Sequence, residues 1–225
     1  FRNEIYADYK AHRPDPPEDL VPQFALIRDA TDALGVAKVQ QEGFEADDLI
    51  AAYAKAFLAE GPGQVTIVSS DKDLMQLVRP GVQLLDPIKQ KPIREPEVLE
   101  KFGVTPDKVV EVQALAGDST DNVPGVPGIG IKTAAQLINE YGDLESLLAN
   151  AEKIKQPKRR EALIENADLA RISKRLVSLD ADAPLPEPIA GFVAKPPADH
   201  KLEHFLLAMG LRSLLARMGK LGEGN

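Results

Sequence analysis

The sequence has no cysteine, which excludes disulfides, thiolate-held metals and cysteine catalysis together. It has no tryptophan, and aromatic residues make up only 5%, so a platform for stacking bases is not expected. No apolar run approaches the roughly 20 residues that span a bilayer, and no membrane partner is expected. There is no secretory h-region, and the chain opens on Phe1 rather than Met, so it reads as a piece cut from something longer. An excess of positive charge is missing too: 27 Lys and Arg stand against 35 Asp and Glu, a formal net charge of −8. Bulk charge therefore does not announce a nucleic-acid binder, although placement rather than the sum decides partners. What is present is a 44% hydrophobic share over 225 residues. That is enough to bury a core in one large domain or two small ones.

Along the chain, Pro14, Pro16, Pro17 and Pro22 bar a long helix near the N-terminus. Leu26 to Leu34 has the spacing of a short amphipathic helix, and Val36–Gln40 reads as a short strand. From Glu45, the spacing of Leu49, Ile50, Tyr53 and Phe57 predicts a helix that stops at Gly61-Pro62-Gly63. Val65–Val68 and Val82–Leu85 read as buried strands, with a short helix over Leu74 to Val78 between them. This alternation predicts an α/β part with a mainly parallel central sheet over residues 1–94. Strand signals then fade. A helical region with a helix–hairpin–helix is expected over 95–180, and a Pro-rich connector with terminal helices over 181–225.

Three acidic clusters carry the first chemical signal. They are Glu45-Ala46-Asp47-Asp48 at a helix start, Asp71-Lys72-Asp73 just after a strand, and Asp118 and Asp121 in a Gly/Pro-rich loop. Singly, each has a plain reading as a helix cap or an Asx-turn. Together they belong beyond the carboxyl ends of parallel strands, where open α/β sheets bind ligands. Carboxylates crowded there either take up protons or hold cations. All-oxygen ligands select Mg²⁺ or Mn²⁺ rather than Zn²⁺. Two such ions, roughly 3.5–4 Å apart, suit in-line attack on a phosphodiester. Glu45 and Asp48 share a helix face at this spacing, with Asp47 pointing away. So not all three are expected to ligate one ion directly.

The second signal is Gly125-Val126-Pro127-Gly128-Ile129-Gly130-Ile131-Lys132-Thr133. Its glycines allow a tight turn and the close approach of another backbone. The helix after it offers free N–H groups to an anion, with Lys132 beside them. This is the pattern of a helix–hairpin–helix, a sequence-independent grip on duplex DNA. Residues 153–175 carry eight basic residues against three acidic ones. That run reads either as a solvated helix face or as a phosphate track. His12 is assigned no chemistry.

These landmarks, with Phe1-Arg2-Asn3-Glu4 and Tyr9-Lys10-Ala11-His12-Arg13, resemble the 5′→3′ exonuclease (flap endonuclease) domains of bacterial DNA polymerase I. The resemblance runs from residue 1 to about 180. It implies a PIN-like, flap-endonuclease-like fold acting on DNA with a 5′ end or flap. It assigns metal binding to Glu45, Asp47, Asp48, Asp71, Asp73, Asp118 and Asp121, with two Mg²⁺ or Mn²⁺ ions as cofactors. Lys10 and Arg13 fall at the base of the family's helical arch, against the scissile phosphate. Gly125, Gly128, Gly130, Lys132 and Thr133 fall in its DNA-gripping turn, which often also holds a monovalent cation. A fused polymerase domain, a cytoplasmic setting and roles in replication and repair come with the family.

The family also has an upstream strand and two further ligand aspartates before the Phe-Arg motif. The chain is expected to lack them and therefore to cleave poorly alone. Two other readings compete: a non-catalytic helix–hairpin–helix DNA-binding module, and a PIN-type ribonuclease.

Overall fold

The computed structural model describes residues 1–194, 196 and 198–222. In chain order the elements are α1 (Arg2–Ile5), α2 (Gln23–Ala33), α3 (Ala46–Ala59), β1 (Val65–Val68), β2 (Val82–Asp86), β3 (Lys91–Ile93) and α4 (Glu95–Phe102). There follow α5 (Val109–Ala116), α6 (Ile131–Tyr141), α7 (Leu144–Ala149), α8 (Pro157–Glu165), α9 (Ala167–Val177), α10 (Asp199–Ala208) and α11 (Arg212–Gly222). They fall into two compact units. One comprises Phe1–Arg13 with Gln41–Leu185, the other Pro14–Gln40 with Pro186–Asn225.

In the first unit the sheet order is β1-β2-β3. The β-branched run of β1 pairs parallel to β2, with Ile67 opposite Leu84. β2 pairs antiparallel to β3, with Leu84 opposite Ile93. No sequence signal marks β3. It is three residues long with Pro92 in the middle, which suits an edge strand, and only its pairing with β2 makes it a strand. α4 was equally silent. It begins where the Glu97 carboxylate accepts the Arg94 N–H at 2.8 Å and ends on Gly103 at φ +72°. Its i,i+4 pair Val98 and Phe102 is buried in the main core with Leu84, Val109, Val112 and Leu115. α5 runs through that core and packs on both α6 and α9. Gln113 of this helix is a polar residue only 2% exposed, beside Val112, Ala114 and Leu115 at 0%.

The second unit is small. α2 packs on α10 and α10 on α11, closing around Ala33, Leu202 and Leu206. Val36–Gln40, expected as a strand, forms none. It lies in this helical unit, where no strand among the described residues offers a ladder edge. The connector expected over 181–198 is irregular apart from a 3₁₀ turn at Ile189–Phe192; within it, Lys195 and Pro197 lie outside the described residues. Among the described residues, no helix is long and apolar enough to cross a membrane.

Candidate metal centre and nucleic-acid interface

Three loops of the first unit bring the acids together. After β1, the Asp71 carboxylate accepts the Asp73 N–H at 2.9 Å, which folds the segment back on itself. The loop of Asp118 and Asp121 is pinched by a reciprocal pair. The Asp118 N–H donates to the Val123 carbonyl at 2.9 Å, and the Val123 N–H to the Asp118 carbonyl at 2.7 Å. Gly117 and Gly125 close the base of the pinch. A Cβ on Gly125 would stand 2.5 Å from the Gly117 nitrogen, so only glycine fits. Lys72 ties the two loops, its Nζ 2.6 Å from an Asp118 carboxylate oxygen. The third contributor is the first turn of α3, with Glu45 and Asp47.

The N-terminal segment lies along the Asp118–Asp121 loop. The Lys10 N–H donates to the Asp121 carbonyl at 2.9 Å, and Asn122 Nδ2 to the Asp8 carbonyl at 2.6 Å. His12 Nε2 lies 2.8 Å from the Ser119 carbonyl. Lys10 sits at φ +58°, a left-handed conformation that costs a non-glycine residue roughly 1–2 kcal/mol. From there its Nζ reaches Glu45 at 2.6 Å and Asp121 at 3.6 Å. Arg13 pairs with the other Asp121 carboxylate oxygen, and the Tyr9 hydroxyl stands 3.4 Å from both Glu45 and Asp121.

Glu45, Asp47, Asp73 and Asp121 line one cavity of about 20 Å³, together with Arg2, Tyr9 and an apolar wall that includes Val123 and Leu176. That is room for about one water-sized guest. Burial, then Asp71, Asp73 and Glu45, push the Asp47 carboxyl up to about 6. Burial, with Asp71 and Asp118, also raises Asp73, against the opposing pull of Gln113 and Lys72. Burial pushes Asp118 up as well, but the Lys72 ammonium and the Thr120 N–H outweigh it and hold Asp118 below the usual range. The Tyr9 hydroxyl is raised by burial and by Glu45 and Asp121. Asp47 and Asp73 are thus the crowded members, and Asp118, Asp121 and Glu45 are partnered by lysine or arginine. Among the described residues, no group of three or more His, Asp or Glu side chains stands close enough to hold a metal ion as it is. The donor chemistry nevertheless fits a hard divalent cation. Every group is an oxygen, and burial together with the neighbouring carboxylates holds Asp47 and Asp73 above the usual range, a cost that a bound cation would relieve.

Three of the expected residues sit differently from their sequence reading. Asp48, read as a ligand sharing a face with Glu45, is instead turned inward and is 0% exposed. Its four acceptor positions are spent on both Arg2 Nη atoms at 2.7 Å, the Asp180 N–H at 2.9 Å and the Glu45 N–H at 3.0 Å. Burial pushes its carboxyl up, but these bonds outweigh it and hold Asp48 below its ordinary value. Asp47, read as pointing away, is the residue that faces Asp71 and Asp73. Gly125, grouped with the gripping turn, is buried, and its N–H is spent on Ser173 Oγ at 2.9 Å. It builds the hairpin rather than facing outward.

The rest of the turn is open. A Cβ at Gly128 or Gly130 would meet nothing within 4 Å, so the interior gives no reason for glycine at 130, where φ is −92°. Val126 and Ile129 anchor the turn in the core at 3% and 4% exposure. No side chain caps α6, so its first N–H groups are free for an anion, beside exposed Lys132 and half-buried Thr133. In the basic run, Arg171 is held by Glu145 and Asp168 at 2.9 and 3.0 Å, and Lys174 by Glu111 at 2.6 Å. Sequence reasoning missed Arg2, Tyr9, Lys72 and Gln113 as parts of this site. Their partners lie 36 to 112 residues away for Arg2, Tyr9 and Gln113, and no local pattern marks such pairings.

Residues 1–103 match the family model for the 5′-3′ exonuclease N-terminal resolvase-like domain. Residues 104–200 match that for the 5′-3′ exonuclease C-terminal SAM fold. DNA polymerase I of Rhizobium leguminosarum is 53% identical over 220 residues, covering 98% of this chain and 22% of the relative. The chain therefore spans less than a quarter of that protein. The 5′-3′ exonuclease of Aquifex aeolicus is 36% identical over 98% of this chain and 74% of its own length. Among solved structures, the bacteriophage T5 D15 flap endonuclease, a pseudo-enzyme-product complex with DNA and metal ions, superposes with a TM-score of 0.69. It is 24% identical and covers 91% of this chain and 78% of its own, a likeness that shows the fold. With adjoining models over residues 1–200 and an exonuclease matched along most of both chains, this chain belongs to the 5′-3′ exonuclease family.

Proposed function

We propose that the chain is a divalent-metal-dependent 5′→3′ exonuclease and 5′-flap endonuclease for DNA, serving replication and repair as part of a cytoplasmic DNA polymerase I. The observation that carries this is the convergence of Glu45, Asp47, Asp71, Asp73, Asp118 and Asp121 from three loops, with Lys10 and Arg13 at their edge. Those six carboxylates would hold two Mg²⁺ or Mn²⁺ ions, while Asp48 caps the start of α3 by accepting the Glu45 N–H and pairs with Arg2. Ions held there lower the pKa of water and neutralise phosphate charge for phosphodiester hydrolysis. Lys10 and Arg13 supply positive charge where a scissile phosphate would meet the acids. Gly128 and Gly130 let a DNA backbone approach. The α6 N–H groups, Lys132 and Thr133 would bind its phosphates, and the turn would hold a monovalent cation.

The test is cleavage of a 5′-labelled DNA flap, by the chain alone and joined to the family's upstream segment. Mg²⁺ or Mn²⁺ should support cutting, EDTA should abolish it, and Asp73→Ala should lose it. Duplex binding without cutting in either form would leave a DNA-binding module instead. Preference for a matched RNA flap would favour the ribonuclease reading.

A further inference from the structure

Gln113 has no part in any motif, yet it occupies the centre of the first unit. It lies on α5 between Val112 and Ala114, both 0% exposed, and is itself 2% exposed. Its Nε2 donates to Asp73 Oδ1. Its Oε1 is buried, and no donor among the described residues reaches it. An amide oxygen buried without a donor costs roughly 1–3 kcal/mol. A leucine or methionine of similar volume would fill the same space without that cost. Packing therefore does not explain a glutamine here.

Resting on the metal-site reading above, we propose that Gln113 is a positioning residue of the metal centre. Its N–H holds one oxygen of Asp73 and so fixes the plane of that carboxylate, leaving Oδ2 for a cation. Its Oε1 stays unpaired on the same planar amide, a cost carried so that the N–H can hold Asp73. Partners of this kind commonly govern metal affinity by 10–100-fold when removed.

The test uses Mn²⁺ as the probe and needs no catalysis. Free Mn²⁺ is counted by electron paramagnetic resonance during titration of wild type, Gln113→Met and Gln113→Leu, and each metal-free protein is melted in parallel. Gln113→Met trades an unpaired amide oxygen for the lost bond to Asp73, so it should stay folded, and it should bind Mn²⁺ about 10–100-fold more weakly. Leu115→Ala is the control for packing of α5. It should melt lower, yet bind Mn²⁺ within about twofold of wild type. Wild-type affinity in whichever glutamine variant folds would overturn the assignment while leaving the metal centre intact. So would an equal loss of affinity in Leu115→Ala. No Mn²⁺ binding by wild type would overturn the assignment together with the metal centre it rests on.

Discussion

Removing the charge of Asp47 should stabilise the metal-free protein. Its carboxyl rises from an ordinary value of 3.8 to about 6, first by burial and then by Asp71, Asp73 and Glu45. Below about pH 4 both the folded and the unfolded chain keep this proton, and the residue is neutral in the balance. Between 3.8 and about 6 the unfolded chain ionises first, so stability falls as pH rises. Above about 6 the folded state carries the whole penalty, ~3 kcal/mol at 1.36 kcal/mol per pH unit. Asp47→Asn escapes it. In EDTA at pH 8 the variant should melt higher than wild type by up to about 6–12 °C, given roughly 2–4 °C per kcal/mol at this size. The gap should close as pH is lowered to about 4. The same variant should bind Mn²⁺ more weakly, because the crowding that destabilises the empty site is what attracts a cation. Melting curves at pH 4, 6 and 8 decide the matter. A variant less stable than wild type at pH 8, or a gap that does not change with pH, would refute the electrostatic account of this cluster.

The Arg2–Asp48 pair, with side chains 3% and 0% exposed, should be intolerant of losing one partner. Arg2→Met strands a buried carboxylate and should cost about 3–5 kcal/mol, read by urea unfolding at pH 7; a loss under 1 kcal/mol would show the pair to be dispensable. Gly130→Val should leave the melting temperature nearly unchanged, since the position has ordinary φ and open space. It should weaken binding to every duplex sequence alike, because phosphate contacts carry no base information. Fluorescence anisotropy with several duplexes checks this, and a loss confined to some sequences would show that the turn reads bases.

The acids were legible because they are contiguous: Glu45–Asp48, Asp71–Asp73 and Asp118–Asp121 each sit beside a break in periodicity, and a strand end predicts where a loop must emerge. The hairpin was legible for the same reason, since glycine spacing is a property of the local backbone. β1, β2, α3 and the helical character of residues 95–180 followed from runs and periods whose burial is decided within one element. What the sequence could not decide was assigned by distant partners. Val36–Gln40 has strand composition but no ladder to join, and β3 has almost no strand signal but meets an open edge of β2. Of three acids in four residues, helix geometry alone pointed to Asp48 and away from Asp47. Arg2, 46 residues earlier in the chain, reversed that choice by claiming Asp48 for the interior. Gln113 shows the same limit in a single side chain: its identity is written in the sequence, but a buried amide acquires meaning only when folding places Asp73 against its nitrogen and leaves its oxygen without a donor. Local periodicity fixes which residues can lie on one face; long-range contacts decide which charges are spent inside the fold and which stay free for a ligand.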